Sequence, residues 1–365
     1  MSSPIKYMTL PQGRRILVIS DIHGNLPYLQ GALDKVGFTD EDILIIDGDF
    51  LEKGKHSLDT LRYVMALSEK GNTHVLRGNC DGWHQLLTWP AEMADFTLRY
   101  MSSRPDCLLR QMCREVGVET DANTSAETVK ALLREHFAEE MDFLAQMPII
   151  LETPNYTFVH GGVSAPTVEE ANPYKCMKND NFLGQGLSFD KWQIVGHWPV
   201  VLYREDITDA KPIIFRNRKI ISIDGGCVLK DDGQLNVLII PYDGSEDFAY
   251  DWYDPFPVAT ALEEQPGSEE SYYIRWGDNH VEVLEVRGEF TLCRHVRTGY
   301  EMEVLTDFIR VTDEAITVND CTDLILPVSP GDKLSIVRET SKGYLCKKNG
   351  VSGWYNGKIS GRKDA

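Results

Sequence analysis

Three observations in the sequence predict an α/β fold. Five short runs, Arg15-Ile16-Leu17-Val18-Ile19-Ser20, Asp42-Ile43-Leu44-Ile45-Ile46-Asp47, Thr73-His74-Val75-Leu76, Tyr156-Thr157-Phe158-Val159 and Trp192-Gln193-Ile194-Val195, are almost continuously apolar, as strands buried on both faces are. Segments with helical spacing separate the first of them. Each run also ends in a Gly-paired cluster of His, Asp or Asn, and functional groups gather beyond the carboxyl ends of strands in α/β sheets.

Taken in order, the first run leads to Asp21-Ile22-His23-Gly24-Asn25 and a helix over Leu26 to Val36. The second leads to Gly48-Asp49 and a helix over Ser57 to Lys70, with Ser57 as N-cap and Gly71 as the stop. The third leads to Gly78-Asn79-Cys80-Asp81. Residues 82–147 lack strand signals, carry helical spacing through Leu108 to Val116 and Val129 to Met147, and contain Thr124-Ser125-Ala126-Glu127, which fits a capping box. This helical insertion is expected beside the cleft, where Trp83 and Trp89 at its entrance offer rings for stacking. The fourth run ends at His160-Gly161-Gly162 and the fifth at Gly196-His197. Lys211 to Phe215 follows, then the run from Lys219 that ends in Asp224-Gly225-Gly226, and Asp231-Asp232-Gly233 reads as a hairpin turn into Leu235 to Ile240.

The segments at the strand ends hold three His, three Asp and two Asn, from which three His, two Asp and one Asn make a ligand set for two metal ions. A carboxylate such as Asp49 has two oxygens and can bridge two cations, while imidazole and amide oxygen suit manganese, iron or zinc. Two cations about 3.5 to 4 Å apart would clamp a phosphoryl group and lower the pKa of a bridging water.

The order Asp-x-His-Gly, Gly-Asp, Gly-Asn, His-Gly-Gly, Gly-His resembles the calcineurin-like metallophosphoesterase superfamily over about residues 14 to 240, and His160-Gly161-Gly162 resembles its phosphoprotein phosphatase branch. The resemblance implies one metal on Asp21, His23 and Asp49 and the other on Asp49, Asn79, His160 and His197. It implies hydrolysis of phosphate esters by a metal-bridging hydroxide, two divalent ions with manganese first and iron or zinc as alternatives, and a two-sheet β-sandwich flanked by helices. The substrate class it implies is a phosphorylated small molecule or phosphoprotein, cleaved as a phosphomonoester. Lys53 and Asn79 would hold phosphoryl oxygens.

Several positions depart from that pattern. Gly48-Asp49-Phe50-Leu51-Glu52-Lys53-Gly54 carries Glu and Lys where the branch has Asp and Arg, so the planar fork of an arginine is lost. Cys80 stands in place of the His that would protonate the leaving oxygen, and a thiol is a different acid from imidazole. Cys80, His84 or solvent remains as proton donor. Small phosphodiesterases also carry Gly-Asn-Cys-Asp, but Gly196-His197-Trp198-Pro199 lacks their second His. A phosphodiesterase or dinucleoside polyphosphate hydrolase is therefore the alternative, and a non-catalytic phospho-ligand-binding module is the alternative of another class.

At 365 residues the chain exceeds one ordinary domain. The catalytic domain is expected over residues 1–254, a Pro- and acid-rich linker over 255–270, and an all-β domain over 271–365. The stretch from Leu326 to Ile359 resembles a bacterial SH3-like small barrel, whose partner would be a peptide or another part of the same chain. With 37 basic and 56 acidic residues the formal charge is −19, which argues against non-specific binding to nucleic acid or an anionic membrane. Residues 1–12 lack an apolar h-region and no run approaches a membrane span, so a cytoplasmic location is expected. The eight cysteines show no Cys-x-x-Cys pair and indicate neither a zinc ribbon nor a disulfide framework.

Overall fold

The computed structural model of the chain describes residues 4–90, 93–121 and 124–363. It divides into two units: residues 1–199, 212–229 and 234–253 form the first, and residues 200–211, 230–233 and 254–365 the second.

In chain order the elements run β1 (Ile5–Tyr7), β2 (Ile16–Ile19), α1 (Leu26–Lys35), β3 (Ile43–Asp47), α2 (Ser57–Glu69), β4 (Thr73–Leu76), α3 (Ala94–Ser103), α4 (Leu108–Glu115), α5 (Ala126–His136), α6 (Ala138–Gln146), β5 (Ile150–Glu152), β6 (Tyr156–Val159), α7 (Pro173–Met177), β7 (Trp192–Val195), β8 (Thr208–Asp209), β9 (Ile213–Phe215), β10 (Ile220–Ser222), β11 (Leu235–Ile240) and β12 (Ala249–Tyr253). In the first unit, one sheet has the order β12-β11-β2-β3-β4 and the other β1-β5-β6-β7-β10-β9. The apolar runs explain why there are two. Alternate residues of a strand point to opposite faces. Leu17, Ile19, Leu44 and Ile46 join the core formed with α1, α2 and α4 to α6, whereas Ile16, Val18, Ile43 and Ile45 join a core shared with Phe158, Ile194 and Ile221 of the other sheet. Both faces of β2 and β3 are thus buried, one under helices and one under a sheet. The mixed α/β architecture expected from the sequence is present, with its longer helices gathered on the sheet that contains β2.

Several local expectations shift. Ser57 is the first residue of α2 rather than its cap; its hydroxyl accepts instead from the Glu52 N–H at 3.0 Å. The cap of α5 is Ser125, which accepts from the Thr128 N–H at 3.1 Å, one position later than the box predicts. The helical pattern over Val129 to Met147 breaks at Phe137, buried in the core with φ −130°. Asp231-Asp232-Gly233 does not close a hairpin between neighbouring strands, because β10 lies in one sheet and β11 in the other. Periodicity reports burial, and burial is the same for a strand in either sheet.

The second unit comprises β8 and β13 (Val258–Ala261), β14 (Tyr273–Ile274), β15 (Val281–Arg287), β16 (Phe290–His295), β17 (Glu301–Leu305), β18 (Ile309–Val311), β19 (Ile316–Val318), β20 (Cys321–Thr322), β21 (Lys333–Thr340), β22 (Gly343–Lys348), β23 (Val351–Tyr355) and β24 (Ile359–Lys363). Its largest sheet has the order β24-β13-β21-β22-β23-β8. The stretch 255–270 is therefore not a plain linker: β13 pairs with both β21 and β24. Small alternating residues, Val258, Ala259, Thr260 and Ala261, sit there between prolines and acids, and their strand signal is weak for that reason. All eight cysteines are free thiols, and among the described residues no helix is long and apolar enough to cross a membrane.

Candidate metal centre

The site is built by loops at the carboxyl ends of β2, β3, β4, β6 and β7. Asp21, His23, Asp49 and His197 all have left-handed backbone, with φ of 55°, 52°, 49° and 66°. That conformation is uncommon for residues other than glycine and gathers where surrounding structure over-determines it. The glycines of the motifs permit the crowding. A Cβ on Gly78 would stand 2.1 Å from Asp49 Oδ1, and one on Gly196 would stand 2.4 Å from Asp21 Oδ2.

Two groups of side chains offer ligand atoms within 4.8 Å of one another: His23, Asp49 and Cys80, and Asp49, His160 and His197. Asp49 belongs to both. His160 Nε2 lies 3.4 Å from Asp49 Oδ2 and 3.8 Å from Asp21 Oδ1, and His23 Nε2 lies 3.8 Å from the same Asp21 oxygen. Of the six ligand positions expected from the sequence, Asp21, His23, Asp49, His160 and His197 converge. Asn79 is exposed at the edge, its amide nitrogen 3.2 Å from Cys80 Sγ.

Hydrogen bonds fix the tautomers. His160 Nδ1 is 2.8 Å from the Asp47 carbonyl and His23 Nδ1 is 3.4 Å from that of Leu51. A carbonyl only accepts, so each Nδ1 carries a proton and each Nε2 is turned into the cluster, as metal-binding imidazoles usually are arranged. His160 Nε2 and Asp21 Oδ1 are buried without hydrogen-bond partners. Such orphaned atoms are costly unless a further group satisfies them, and a divalent cation is the group their chemistry fits.

The electrostatics point the same way. Burial, with Asp224 and Asp49 nearby, pushes Asp21 well above the ordinary carboxylate range. Burial likewise disfavours ionised Asp49, but the adjacent His160 ring outweighs it and holds that carboxyl low; burial also works against a charged His160, but Asp49 and Asp21 outweigh it and hold that ring well up, so it carries a proton that a bound cation would displace. Burial lowers His23 to about 4 and also lowers His197, so both rings are neutral and able to ligate near neutral pH.

The other candidates divide. Lys53 is exposed with φ 69° and makes no ion pair among the described residues. The Cys80 N–H donates to Asp49 Oδ1 at 2.8 Å, and burial pushes its thiol well up, so the group is a neutral thiol. His84 is not brought into the cluster. Its Nε2 pairs at 2.9 Å with the Arg77 guanidinium, and burial with that cation lowers it to about 4. A ring deprotonated at neutral pH and turned to Arg77 is poorly suited to donate a proton.

The structure also adds residues that motif reading does not single out. Asp81 accepts from the N–H groups of Asp49, Leu51 and Gly78 at 2.8, 3.2 and 2.8 Å, which ties two ligand loops together. Asp180 lies 2.8 Å from His197 Nε2. Glu52 accepts from the Tyr100 hydroxyl at 2.6 Å and the Leu108 N–H at 3.0 Å, so the insertion helices α3 and α4 are bonded to the Asp49–Lys53 loop. Asp81 closes the Gly78-Asn79-Cys80-Asp81 segment and was within reach of the sequence; Asp180 sits in an irregular loop with no such signal.

A sequence model described as calcineurin-like phosphoesterase matches residues 14–219. The symmetrical bis(5'-nucleosyl)-tetraphosphatase of Psychromonas ingrahamii is 26% identical over 179 residues, which is 48% of this chain and 53% of that protein. The asymmetrical bis(5'-nucleosyl)-tetraphosphatase PrpE of Halalkalibacterium halodurans is 24% identical over 241 residues, 61% of this chain and 89% of that one. The chain thus spans about half the length of the first of these curated relatives. Among solved structures, a serine/threonine phosphatase from Saccharomyces cerevisiae aligns with a TM-score of 0.41 at 11% identity, over 72% of this chain and 86% of that chain.

Proposed function

Because the chain belongs to the calcineurin-like phosphoesterase family, we propose that it hydrolyses phosphate bonds at the paired site around Asp49, and that its substrates are the phosphoanhydrides of dinucleoside polyphosphates. The observation that carries the reading is the sharing of Asp49 between two groups of ligand side chains. Two divalent cations, manganese in our reading, would supply Lewis-acid polarisation of the phosphoryl oxygens and a water of lowered pKa.

The chain's own residues have separable tasks. Asp21, His23 and Asp49 would hold one cation, and Asp49, Asn79, His160 and His197 the other. Lys53 and Asn79, both exposed, would meet phosphoryl oxygens from the solvent side. Asp81 holds the Asp49 and Asn79 loops in register through its three accepted N–H bonds. Cys80 bears on the substrate class. A thiol replaces imidazole beside Asp49, and phosphate leaving an anhydride needs less protonation than the alkoxide leaving a serine phosphate. The tetraphosphatase names carried by the relatives agree with that preference.

Purified protein with manganese should turn over diadenosine tetraphosphate faster than p-nitrophenyl phosphate or bis-p-nitrophenyl phosphate. Asp49→Asn should remove the activity. Preference for p-nitrophenyl phosphate would restore the phosphomonoesterase reading, preference for the bis-ester the phosphodiesterase one. No turnover of any of the three with metal bound would leave a phospho-ligand-binding module.

A further inference from the structure

Helix α3 of the insertion carries a row of rings that starts at the metal centre. The Tyr100 hydroxyl is held by Glu52, the residue before Lys53. Trp83, three residues beyond Cys80, packs its ring 4.9 Å from that of Tyr100. One turn back along α3 the Phe96 ring is 6.2 Å from Tyr100, and Trp89 meets Phe96 edge-on at 5.9 Å. Trp83 is buried and Trp89 half-buried, but Phe96 is 43% exposed. One turn forward, the Arg104 guanidinium lies 5.3 Å over the Tyr100 ring. Arg104 is exposed and pairs with no carboxylate among the described residues, in a chain of net charge −19.

An exposed ring on α3 and an unpaired planar cation at its C-cap, flanking Tyr100 and joined through its hydrogen bond to the loop of Asp49 and Lys53, match the two halves of a nucleotide. We propose that this surface of α3 and its C-cap is the leaving-group subsite: Phe96 stacks on the base, and Arg104 binds the phosphates beyond the scissile bond. Arg104 thereby supplies from the insertion the bidentate fork that Lys53 lacks. Tyr100 sets the distance between subsite and metal centre through Glu52. This rests on the nucleotide reading above.

The test uses the full chain loaded with manganese. ADP is the equilibrium probe, read by calorimetry or by quenching of tryptophan fluorescence, and diadenosine tetraphosphate and p-nitrophenyl phosphate are the kinetic probes. Phe96→Ala should weaken ADP about tenfold, the scale of one base stacked on an aromatic ring. Arg104→Ala should also weaken it, and Arg104→Lys should recover only part, because a point charge keeps attraction without the fork. In both alanine variants kcat/KM for diadenosine tetraphosphate should fall about tenfold further than for p-nitrophenyl phosphate, mostly through KM. Unchanged ADP affinity in both variants, at unchanged thermal stability, would overturn the subsite even if the tetraphosphate is hydrolysed. Failure to hydrolyse the tetraphosphate, with ADP still bound and sensitive to Phe96, would overturn the substrate reading and leave the nucleotide subsite standing.

Discussion

Cys80 donates its backbone N–H to Asp49 Oδ1, so its side chain can be exchanged without removing that contact. Cys80→His should therefore raise turnover of phosphate esters with poor leaving groups on the order of 100-fold relative to p-nitrophenyl phosphate. Rates measured across a series of leaving groups check this; a slope identical to wild type would mean that position 80 is not where the proton is passed. Away from the site, Asp42 accepts two bonds at 2.8 Å from Arg15 and one from the Thr39 N–H. Burial works against its ionisation, but those bonds outweigh it and hold its carboxyl below the ordinary range. A depressed pKa gives stability that is present above the unfolded value, about 3.9, and is lost as pH falls through the folded one. Asp42→Asn should cost about 1–3 kcal/mol at pH 7 and flatten the fall of Tm below pH 4.

Elements carried the metal centre into view because strand ends are where loops converge. Asp21, His23, Asp49, His160 and His197 could be named from the sequence since each closes an apolar run that burial makes conspicuous. What could not be read was the partner of each loop. Glu52 looks like a surface residue in a Gly-rich turn, yet it is 1% exposed and bonded to α3 and α4, because the insertion folds back over it. The box at Thr124 was misplaced by one residue because the Thr124 hydroxyl accepts instead from the Asp121 N–H at 2.9 Å, and Ser125, the better cap residue, takes the helix end. The Glu52 anchor has an energetic expectation. Tyr100→Phe leaves a buried carboxylate oxygen without its donor and should lower stability by about 1–3 kcal/mol, seen as a shift in denaturant midpoint at constant slope. A shift of less than 0.5 kcal/mol would mean water replaces the hydroxyl.

For the whole molecule, the division into units does not follow the order of the chain. The second unit takes residues 200–211 and 230–233 as well as 254–365, and β8 completes its largest sheet by pairing with β23. Val201 and Ala210 are buried in a cluster with Tyr273. Truncation after Tyr253 should therefore not release a clean catalytic domain. It leaves Thr208–Asp209 unpaired and that cluster open, and the fragment should elute as aggregate in size-exclusion chromatography; a monomeric fragment with full manganese-dependent activity would contradict this. The left-handed backbone at Asp21, Asp49 and His197 has a consequence over longer times. Each of these positions must pass two filters, one set by chemistry and one by chain geometry, and the geometric filter admits chiefly Gly, Asn, Asp and His. A lineage released from hydrolysis would thus drift toward Gly or Asn at these sites, and the cradle would outlive the reaction it was shaped for.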